Sequence, residues 1–131
     1  MKECLSYNDV LLLPQYSSIK SRSEVNLESR LGNKSYTLPI ISSPMDTITG
    51  TEMALAMEKA GGLGVVHRYC SIAEQIEKIS YEGIMAAAIG VTGDYVDRVA
   101  SLYSAGIRIF CLDVAHGDHS HMEVAIRRIK D

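Results

Sequence analysis

The sequence has few cysteines, no long apolar run and no excess of basic residues. Its three cysteines are an odd number without close spacing, which excludes a disulfide framework and favours a reducing compartment. The longest apolar runs, such as residues 11–13 and 84–89, are far shorter than the ~20 residues that a membrane span needs. The net charge is −3 and the basic residues are scattered, so neither a nucleic-acid-binding nor a membrane-binding protein is expected.

No secretory signal is expected either. Residues 1–10 contain Glu3, Asn8 and Asp9 where a signal peptide would need an apolar core. The chain is therefore expected to be cytoplasmic. Its 131 residues correspond to one domain or less, and a hydrophobic fraction of 47% is enough to build a core.

The stretch from residue 38 to residue 70 has the pattern of a parallel βαβ unit. Apolar runs at 38–41 and 63–66 are each followed by polar residues, and a helical pattern ended by two glycines lies between them. In such a unit both polar loops lie at the carboxyl ends of the strands, where ligands usually bind. Residues 42–47 and 67–70 are therefore the first candidates for a functional site.

The same pattern repeats along the chain. Apolar runs begin near residues 39, 63, 86 and 107, and three S/T-x-x-E sequences recur in phase with them as predicted capping boxes: Thr49 with Glu52, Ser71 with Glu74, and Ser120 with Glu123. A further helix is expected to begin at Thr92 or Asp94. The predicted inward faces are Met53, Ala56, Met57 and Ala60; Ile72, Ile76 and Ile79; Val96, Val99, Ala100 and Tyr103; and Met122, Ala125, Ile126 and Ile129.

Four successive β/α units predict an α/β fold with a parallel sheet. A (β/α)8 TIM barrel needs eight units and roughly 250 residues, whereas an open flavodoxin-like sheet usually has five strands. Four strands alone would leave two unpaired edges, so the chain is expected to supply the first half of a barrel. The predicted organisation is a single domain, 1–131, with an N-terminal strand (at 5–13) and polar connector in 1–37 and the four units in 38–131.

Six motifs span nearly the whole chain: YNDVLLLP (7–14), KSRSEVNL (20–27), PIISSPMDTITG (39–50), GGLGVVHR (61–68), AAAIGV (86–91) and LDVAHG (112–117). In these residues and in their order the chain resembles the family of inosine-5′-monophosphate dehydrogenase and guanosine-5′-monophosphate reductase. The resemblance implies a TIM barrel, a purine nucleotide substrate (IMP or GMP), NAD or alternatively NADP as cofactor, and a homotetramer. A monovalent cation in the complete enzyme is also consistent with it.

The family's chemistry uses a cysteine that attacks C2 of the purine while hydride moves to or from the nicotinamide. A covalent intermediate of this kind separates the redox step from the hydrolytic or deaminating step. In the family this cysteine lies on a glycine-rich loop in the second half of the barrel. No catalytic residue is therefore expected in this chain, which alone should be inactive and should need the C-terminal half of the barrel as its partner.

The resemblance assigns binding roles to seven residues. The residues that match substrate-binding positions of the family contact the base and ribose or lie beside the active site. The residues that match cofactor-binding positions include an acid that binds the cofactor ribose. They are Ser43, Met45 and Arg68 for the substrate, and Gly90, Val91, Thr92 and Asp113 for the cofactor. Two alternatives need no ligand: Met45 can pack a turn as a core methionine, and Asp113 can cap a helix.

Two further groups have residue types that suggest chemistry. Cys70 follows His67 by three residues, which would suit a thiolate–imidazole pair, although a loop cysteine without chemistry is the expected reading. The acids and histidines of residues 113–121 are of metal-ligating types, but their spacing matches no closed tetrahedral pattern, so no metal site is expected. Their alternative role is a polar loop that leads into the Ser120 cap.

The choice between the two enzymes remains open at this stage. The segments SSPMDT, GGLGVVH and AAAIGV look more like the dehydrogenase, which is the expected activity. KSRSEVNL looks more like the reductase, as does the short gap between Ser71 and Ala86, which leaves no room for the paired CBS modules of most dehydrogenases. A third hypothesis is that the chain is not itself an enzyme, but an inactive half-barrel fragment or an assembly subunit.

Overall fold

A computed structural model describes residues 3–130 of the protein; residues 1, 2 and 131, at the ends of the predicted domain, lie outside them. Helices alternate with strands from residue 41 onward. In chain order the elements are β1 (Ser29–Leu31), β2 (Lys34–Tyr36), β3 (Ile41–Ser42), α1 (Thr51–Lys59), β4 (Leu63–Val66), α2 (Ile72–Ile79), β5 (Ala86–Ile89), α3 (Tyr95–Ser104), β6 (Ile109–Leu112) and α4 (Ser120–Lys130).

The main sheet has four parallel strands in the order β3-β4-β5-β6. Ile41 of β3 pairs with Leu63 of β4, and Ala86 of β5 pairs with Ile109 of β6. This arrangement confirms the predicted α/β class and the four β/α units. The limits of β4 were predicted correctly, and β5 begins at residue 86 as the spacing of the runs predicted. The other two strands differ: β3 includes only the last residue of the predicted run at 38–41, and β6 begins two residues after the start of its run.

The two faces of the sheet bury different clusters, because successive strand residues point to opposite sides. On the helix side, Val66, Ala87 and Ile89 pack among apolar residues of the four helices. On the other face, Val65 and Ala88 belong to a second cluster that includes the Tyr36 ring of β2. The chain therefore builds one core between sheet and helices and a second on the face that the helices leave free.

The inward faces of two helices differ from the prediction. In α1 the buried residue is Ala54, not Met53, which is 40% exposed. A Cβ placed on Gly64 of β4 would lie 3.0 Å from the Ala54 Cβ, so α1 approaches the sheet through two small residues. In α3 the buried side chains are Tyr95, Arg98 and Leu102, and Tyr103 is 56% exposed.

The other two helices bury or half-bury all but one of the predicted residues. In α2, Ile79 is buried and Ile72 and Ile76 are half-buried. In α4, Ala125 is buried and Ile126 is 40% exposed. Among the described residues, none of the helices is both long enough and apolar enough to cross a membrane.

One of the three predicted capping boxes is confirmed. Glu74 N–H donates to Ser71 Oγ (3.2 Å), and Ser71 N–H donates to Glu74 Oε2 (2.8 Å) at the start of α2. At α1 the box is wrong: the N-cap is Gly50, and Thr49 is fully buried with its hydroxyl directed to the preceding loop.

The box predicted at α4 is also wrong. The helix already includes Ser120, so this residue lies one position too late to be its cap. The carboxylate of Glu123 accepts a hydrogen bond from Arg127, one turn along the helix, at 2.5 Å. Asp94 does precede α3 as its N-cap, but its carboxylate accepts from Arg98.

The N-terminal region differs most from its prediction. Residues 5–13 were expected to form a strand, but within the described chain they contain a turn and otherwise run without regular structure, with Leu11 and Leu12 almost fully exposed. The segment expected to be an irregular connector contains a β1–β2 hairpin that turns at Gly32, whose φ of +60° favours glycine. Lys34 Nζ contacts Met85 Sδ at 3.0 Å, which holds the hairpin beside the start of β5.

Candidate functional site

The predicted binding residues lie at one edge of the sheet. The strands are parallel, so their carboxyl ends meet there. The residues that follow β3, β4, β5 and β6 are, respectively, Ser43 and Met45; Arg68; Gly90, Val91 and Thr92; and Asp113. We refer to this edge, formed by residues 42–47, 67–70, 90–94 and 113, as the rim.

An ion pair crosses the rim from β4 to β6. Arg68 Nε lies 3.1 Å from Asp113 Oδ2, and Arg68 Nη2 donates to the Asp113 backbone oxygen at 3.0 Å. The guanidinium passes over the end of the intervening strand, where a Cβ placed on Gly90 would be 3.5 Å from Arg68 Nη1. The structure therefore brings together three residues that the sequence predicted separately for substrate and cofactor.

Tyr69 completes this group, although the sequence reasoning did not single it out. Its hydroxyl donates to Asp113 Oδ2 at 3.2 Å, and its ring lies 5.2 Å from the Arg68 guanidinium carbon in a cation–π arrangement. Its position in the loop 67–70, which the sequence predicted as a candidate binding segment, was the available signal. The Asp113 carboxylate is consequently held by a guanidinium and a phenol, with 24% of its side-chain surface exposed.

His67 is buried immediately beneath this group. Its Nδ1 accepts a hydrogen bond from Tyr69 N–H at 3.2 Å, and the two rings lie nearly parallel with centroids 6.4 Å apart. Burial lowers the pKa of the His67 imidazole, Lys78 lowers it further, and Asp46 opposes the shift. The imidazole is therefore neutral near pH 7 and acts as an acceptor for the backbone of the rim.

The neighbouring cysteines do not have the properties of an activated nucleophile. Burial raises the pKa of the Cys70 thiol, although Lys78 and Arg98 oppose the shift. Burial also raises the pKa of Cys111, and Asp113 adds to the effect. Since the nucleophile in cysteine chemistry is the thiolate, both residues are held in the less reactive thiol form.

Ser43 and Met45 form a separate part of the rim. The Ser43 backbone oxygen accepts from Met45 N–H (2.8 Å) and from Thr49 Oγ1 (2.5 Å), which closes the β3–α1 loop tightly. Met45 is 49% exposed and belongs to neither apolar cluster of the described residues. Within residues 3–130 no hydrogen bond joins Ser43 or Met45 directly to Arg68 or Asp113, so the structure does not bring all seven predicted residues into one contact group.

Two histidines at the start of α4 contact each other. The rings of His119 and His121 contact each other edge to face at 4.6 Å, and His121 N–H donates to His119 Nδ1 at 3.1 Å. In the described part of the chain, no group of three or more histidine, cysteine or acidic side chains is arranged to hold a metal ion.

Comparison with known proteins gives a consistent set of relatives. A family model described as IMP dehydrogenase / GMP reductase domain matches residues 4–131. The chain is 46% identical over 79 residues to an inosine-5′-monophosphate dehydrogenase of Nitrosopumilus maritimus (strain SCM1), which covers 60% of the chain and 17% of that protein. It is 51% identical over 71 residues to the corresponding enzyme of Korarchaeum cryptofilum (strain OPF8), covering 54% and 15%.

A relative with a different name is equally similar. The chain is 46% identical over 76 residues to a GMP reductase of Leishmania donovani, covering 57% of the chain and 15% of that protein. In each of these three comparisons the matched segment covers about a sixth of the length of the relative.

Proposed function

The chain belongs to the IMP dehydrogenase / GMP reductase family, and from this we propose that the protein is an oxidoreductase acting at C2 of a purine nucleoside 5′-monophosphate with a nicotinamide cofactor. The first candidate reaction converts IMP, NAD⁺ and water into XMP, NADH and a proton. The same proposal includes localisation in the cytoplasm and assembly as a homotetramer. It also includes binding of a monovalent cation by the complete enzyme.

The proposed architecture is a (β/α)8 barrel of which residues 38–131 form four units. Two features support it: the strand order follows the chain order, and the face of the sheet turned away from the helices has its own apolar cluster. In a closed barrel this face lines the interior, which side chains fill in layers. The remaining units belong to the C-terminal half that completes the domain, and residues 1–37 precede the first unit.

The single observation that carries the proposed function is the Arg68–Tyr69–Asp113 group at the rim. Within residues 3–130, both side-chain donors to the Asp113 carboxylate bind Oδ2, so Oδ1 is left to accept a hydrogen bond from a ribose hydroxyl. The residues present thus fit the ribose of a nicotinamide cofactor, with Gly90, Val91 and Thr92 beside it. When bound, the cofactor supplies or accepts the hydride; the chain's own residues orient it.

The proposed substrate-binding part is the loop after β3. Ser43 and Met45 contact the purine base and ribose, and Arg68 lies between this loop and the cofactor residues. The exposed side of Met45 offers an apolar surface for the flat face of a base. The nucleophilic cysteine belongs to the C-terminal half of the barrel, which agrees with the raised pKa of both Cys70 and Cys111.

The second candidate function is GMP reductase, which converts GMP, NADPH and protons into IMP, NADP⁺ and ammonium. One specific observation favours it: α2 ends at Ile79 and β5 begins at Ala86, so the connection is too short to contain paired CBS modules. Similarity to GMP reductases is as high as to several dehydrogenases. The motifs at 42–47, 61–67 and 86–91 favour the dehydrogenase, which we keep as the first candidate.

The test uses the full gene product that contains this chain. NADH formation with IMP and NAD⁺ is compared with NADPH consumption with GMP, both followed by nicotinamide absorbance. A faster first reaction supports the dehydrogenase, and the reverse ratio supports the reductase. If a folded gene product that includes the second half of the barrel catalyses neither reaction, the proposed function is wrong.

The 131-residue chain expressed alone provides the control. We expect it to catalyse neither reaction and to associate, because half of the proposed barrel core remains uncovered. A monomer that unfolds cooperatively and turns over nucleotide would contradict the half-barrel architecture.

A further inference from the structure

Two buried polar side chains lie beneath the rim and have no part in the proposed binding groups. Gln75 of α2 is fully buried, and Arg98 of α3 is 6% exposed. Burial of such groups is costly unless their hydrogen-bonding capacity is satisfied. Their partners therefore indicate what these positions contribute.

Gln75 connects the ends of two strands. Its Nε2 donates to the backbone oxygen of His67 at 3.1 Å and to that of Ala88 at 2.9 Å. His67 directly follows β4, and Ala88 lies two residues before Gly90. A single side-chain amide thus fixes the distance between the loop that carries Arg68 and the strand end that leads to the predicted cofactor residues.

Arg98 holds this amide in place from the other side. Its Nη1 donates to Gln75 Oε1 at 2.7 Å, and its Nη2 donates to the Cys70 backbone oxygen at 3.0 Å. The same Nη2 pairs with the Asp94 carboxylate at 2.8 Å. The guanidinium therefore binds the segment that contains Arg68 and Tyr69 directly at Cys70, and it binds the other end, His67, through Gln75.

The connection continues to the loop after β3. The Thr49 backbone oxygen accepts from His67 N–H at 3.1 Å, and Thr49 Oγ1 donates to the Ser43 backbone oxygen. His67 is consequently held on its N–H by Thr49 and on its carbonyl by Gln75. A continuous series of hydrogen bonds runs from Ser43, through His67 and Gln75, to Arg98.

We propose that Gln75 and Arg98 are positioning residues, which set the geometry of the rim by fixing the backbone of residues 67–70 against the ends of β3 and β5. This inference rests on the proposed function, in which the rim holds the nucleotide and the cofactor. Apolar residues of similar size often replace buried charged networks without loss of stability. The particular contribution of the two polar side chains is the orientation of the backbone that carries Arg68 and Tyr69.

Two substitutions in the full gene product test this role. Gln75→Glu keeps the acceptor for Arg98 but removes both N–H donors to the carbonyls of His67 and Ala88. Arg98→Lys keeps a positive charge beside Asp94 but loses the planar guanidinium that spans Gln75 and Cys70. A misplacement of about 1 Å at a reacting group can cost about 10²-fold in rate, so kcat/KM for the cofactor should fall by roughly 10- to 10²-fold in each variant.

Each variant has a matched control. Gln15→Glu makes the same chemical change at an exposed glutamine, and Arg127→Lys makes it at an exposed arginine that also pairs with an acid one turn away. Ile79→Val shortens a core side chain on α2, one turn after Gln75, and leaves every donor and acceptor of the hydrogen-bond series in place, so it should lower stability without removing a hydrogen bond. All three controls should keep the wild-type kcat/KM.

The readout that separates positioning from stability is amide hydrogen exchange at the rim. The N–H groups of His67 and Tyr69 should exchange at least about tenfold faster in Gln75→Glu and in Arg98→Lys than in the wild type. In Ile79→Val they should exchange at the wild-type rate, when each protein is measured at the same number of degrees below its own melting temperature. The double variant should lose less kcat/KM than the product of the two single losses, because both act through one series of contacts.

The outcomes are distinct from those of the function assay. If exchange at His67 and Tyr69 is unchanged, or changes equally in Ile79→Val, the positioning role is wrong whatever the enzyme catalyses. Wild-type kcat/KM in both variants would also overturn it. If Gln75→Glu fails to fold, Arg98→Lys provides the same two measurements. If exchange is faster in the variants but the wild-type gene product has no activity, the proposed function is contradicted. The positioning role of Gln75 and Arg98 is still supported in that case.

Discussion

Replacing Asp113 should weaken cofactor use far more than it weakens the fold. In Asp113→Asn the amide oxygen can still accept from Arg68 Nε and Tyr69, and the backbone oxygen keeps its bond to Arg68 Nη2. The Arg68 and Asp113 side chains are 32% and 24% exposed, so their ion pair lies between a fully exposed pair, worth about 0–1 kcal/mol, and a buried one. We expect the free energy of unfolding to fall by about 1 kcal/mol or less.

The effect on the reaction should be larger because a carboxylate accepts ribose hydroxyls in charge-assisted hydrogen bonds. Losing such a bond costs roughly 1.5–3 kcal/mol, which corresponds to about one to two decades in kcat/KM. Asp113→Ala should lose this full amount. Asp113→Asn should lose part of it, because an amide oxygen still forms a neutral hydrogen bond worth about 0.5–1.5 kcal/mol.

The assay measures kcat and the cofactor KM of the full gene product together with its melting temperature. Asp97→Asn, the same change at an exposed aspartate on α3, should be indistinguishable from the wild type. Tyr69→Phe removes one donor to Oδ2 and leaves the carboxylate, so its effect should be the smaller one. If Asp113→Asn keeps full activity, or if both Asp113 variants lower only the melting temperature, the cofactor role of Asp113 is refuted.

Two other substitutions and one pH dependence give independent checks. Gly64→Ala should lower the free energy of unfolding by about 1–3 kcal/mol, because the added Cβ meets the Ala54 backbone. Gly117→Ala is the control, because its Cβ meets nothing within 4 Å, and equal denaturation midpoints for the two variants would contradict the close approach of α1. His67 should contribute a constant amount to the unfolding free energy well above its ordinary pKa of 6.5, and this contribution should fall as the pH drops towards the lowered pKa of the folded state, because the unfolded chain binds the proton more readily; the same fall in His67→Asn would assign it to another group. Cys70→Ala should keep turnover within about threefold, because its raised pKa leaves the thiol unactivated, and a large loss of kcat would reveal a chemical role.

The parts of the fold that the sequence predicted well are those where hydrophobic pattern and burial coincide. Residues 63–66 are apolar throughout because β4 is buried on both faces. The face of α1 was mispredicted because its contact with the sheet needs small residues, and Ala54 gives a weaker signal than Met53. The face of α3 was mispredicted because Arg98 is buried and forms an ion pair. A prediction from hydrophobic periodicity places a charged residue such as arginine on the solvent side of a helix.

The site was predictable in part for the same reason. Asp113 follows an apolar run, and its emergence at the end of β6 could be predicted from that run alone. Its partners could not, because Arg68 and Tyr69 reach it across the end of another strand. The role of Gln75 requires the relative placement of α2, α3 and two strand ends, which no local pattern contains. The β1–β2 hairpin was missed although Gly32 and Asn33 form a recognised two-residue turn signal.

The sequential strand order has a consequence for synthesis of the protein on the ribosome. Each of β4, β5 and β6 pairs with the strand that precedes it in the chain, so every pairing partner is made before the strand that needs it. Paired residues such as Ile41 with Leu63 and Ala86 with Ile109 are separated by about one β/α unit, so no pairing in this sheet has to close a longer loop than that. We expect protease protection of ribosome-bound chains of increasing length to rise in steps, one β/α unit at a time, and a single late step would contradict this. The nascent chain can thus add strands without waiting for later segments, and the open edge of the sheet moves forward by one strand with each unit.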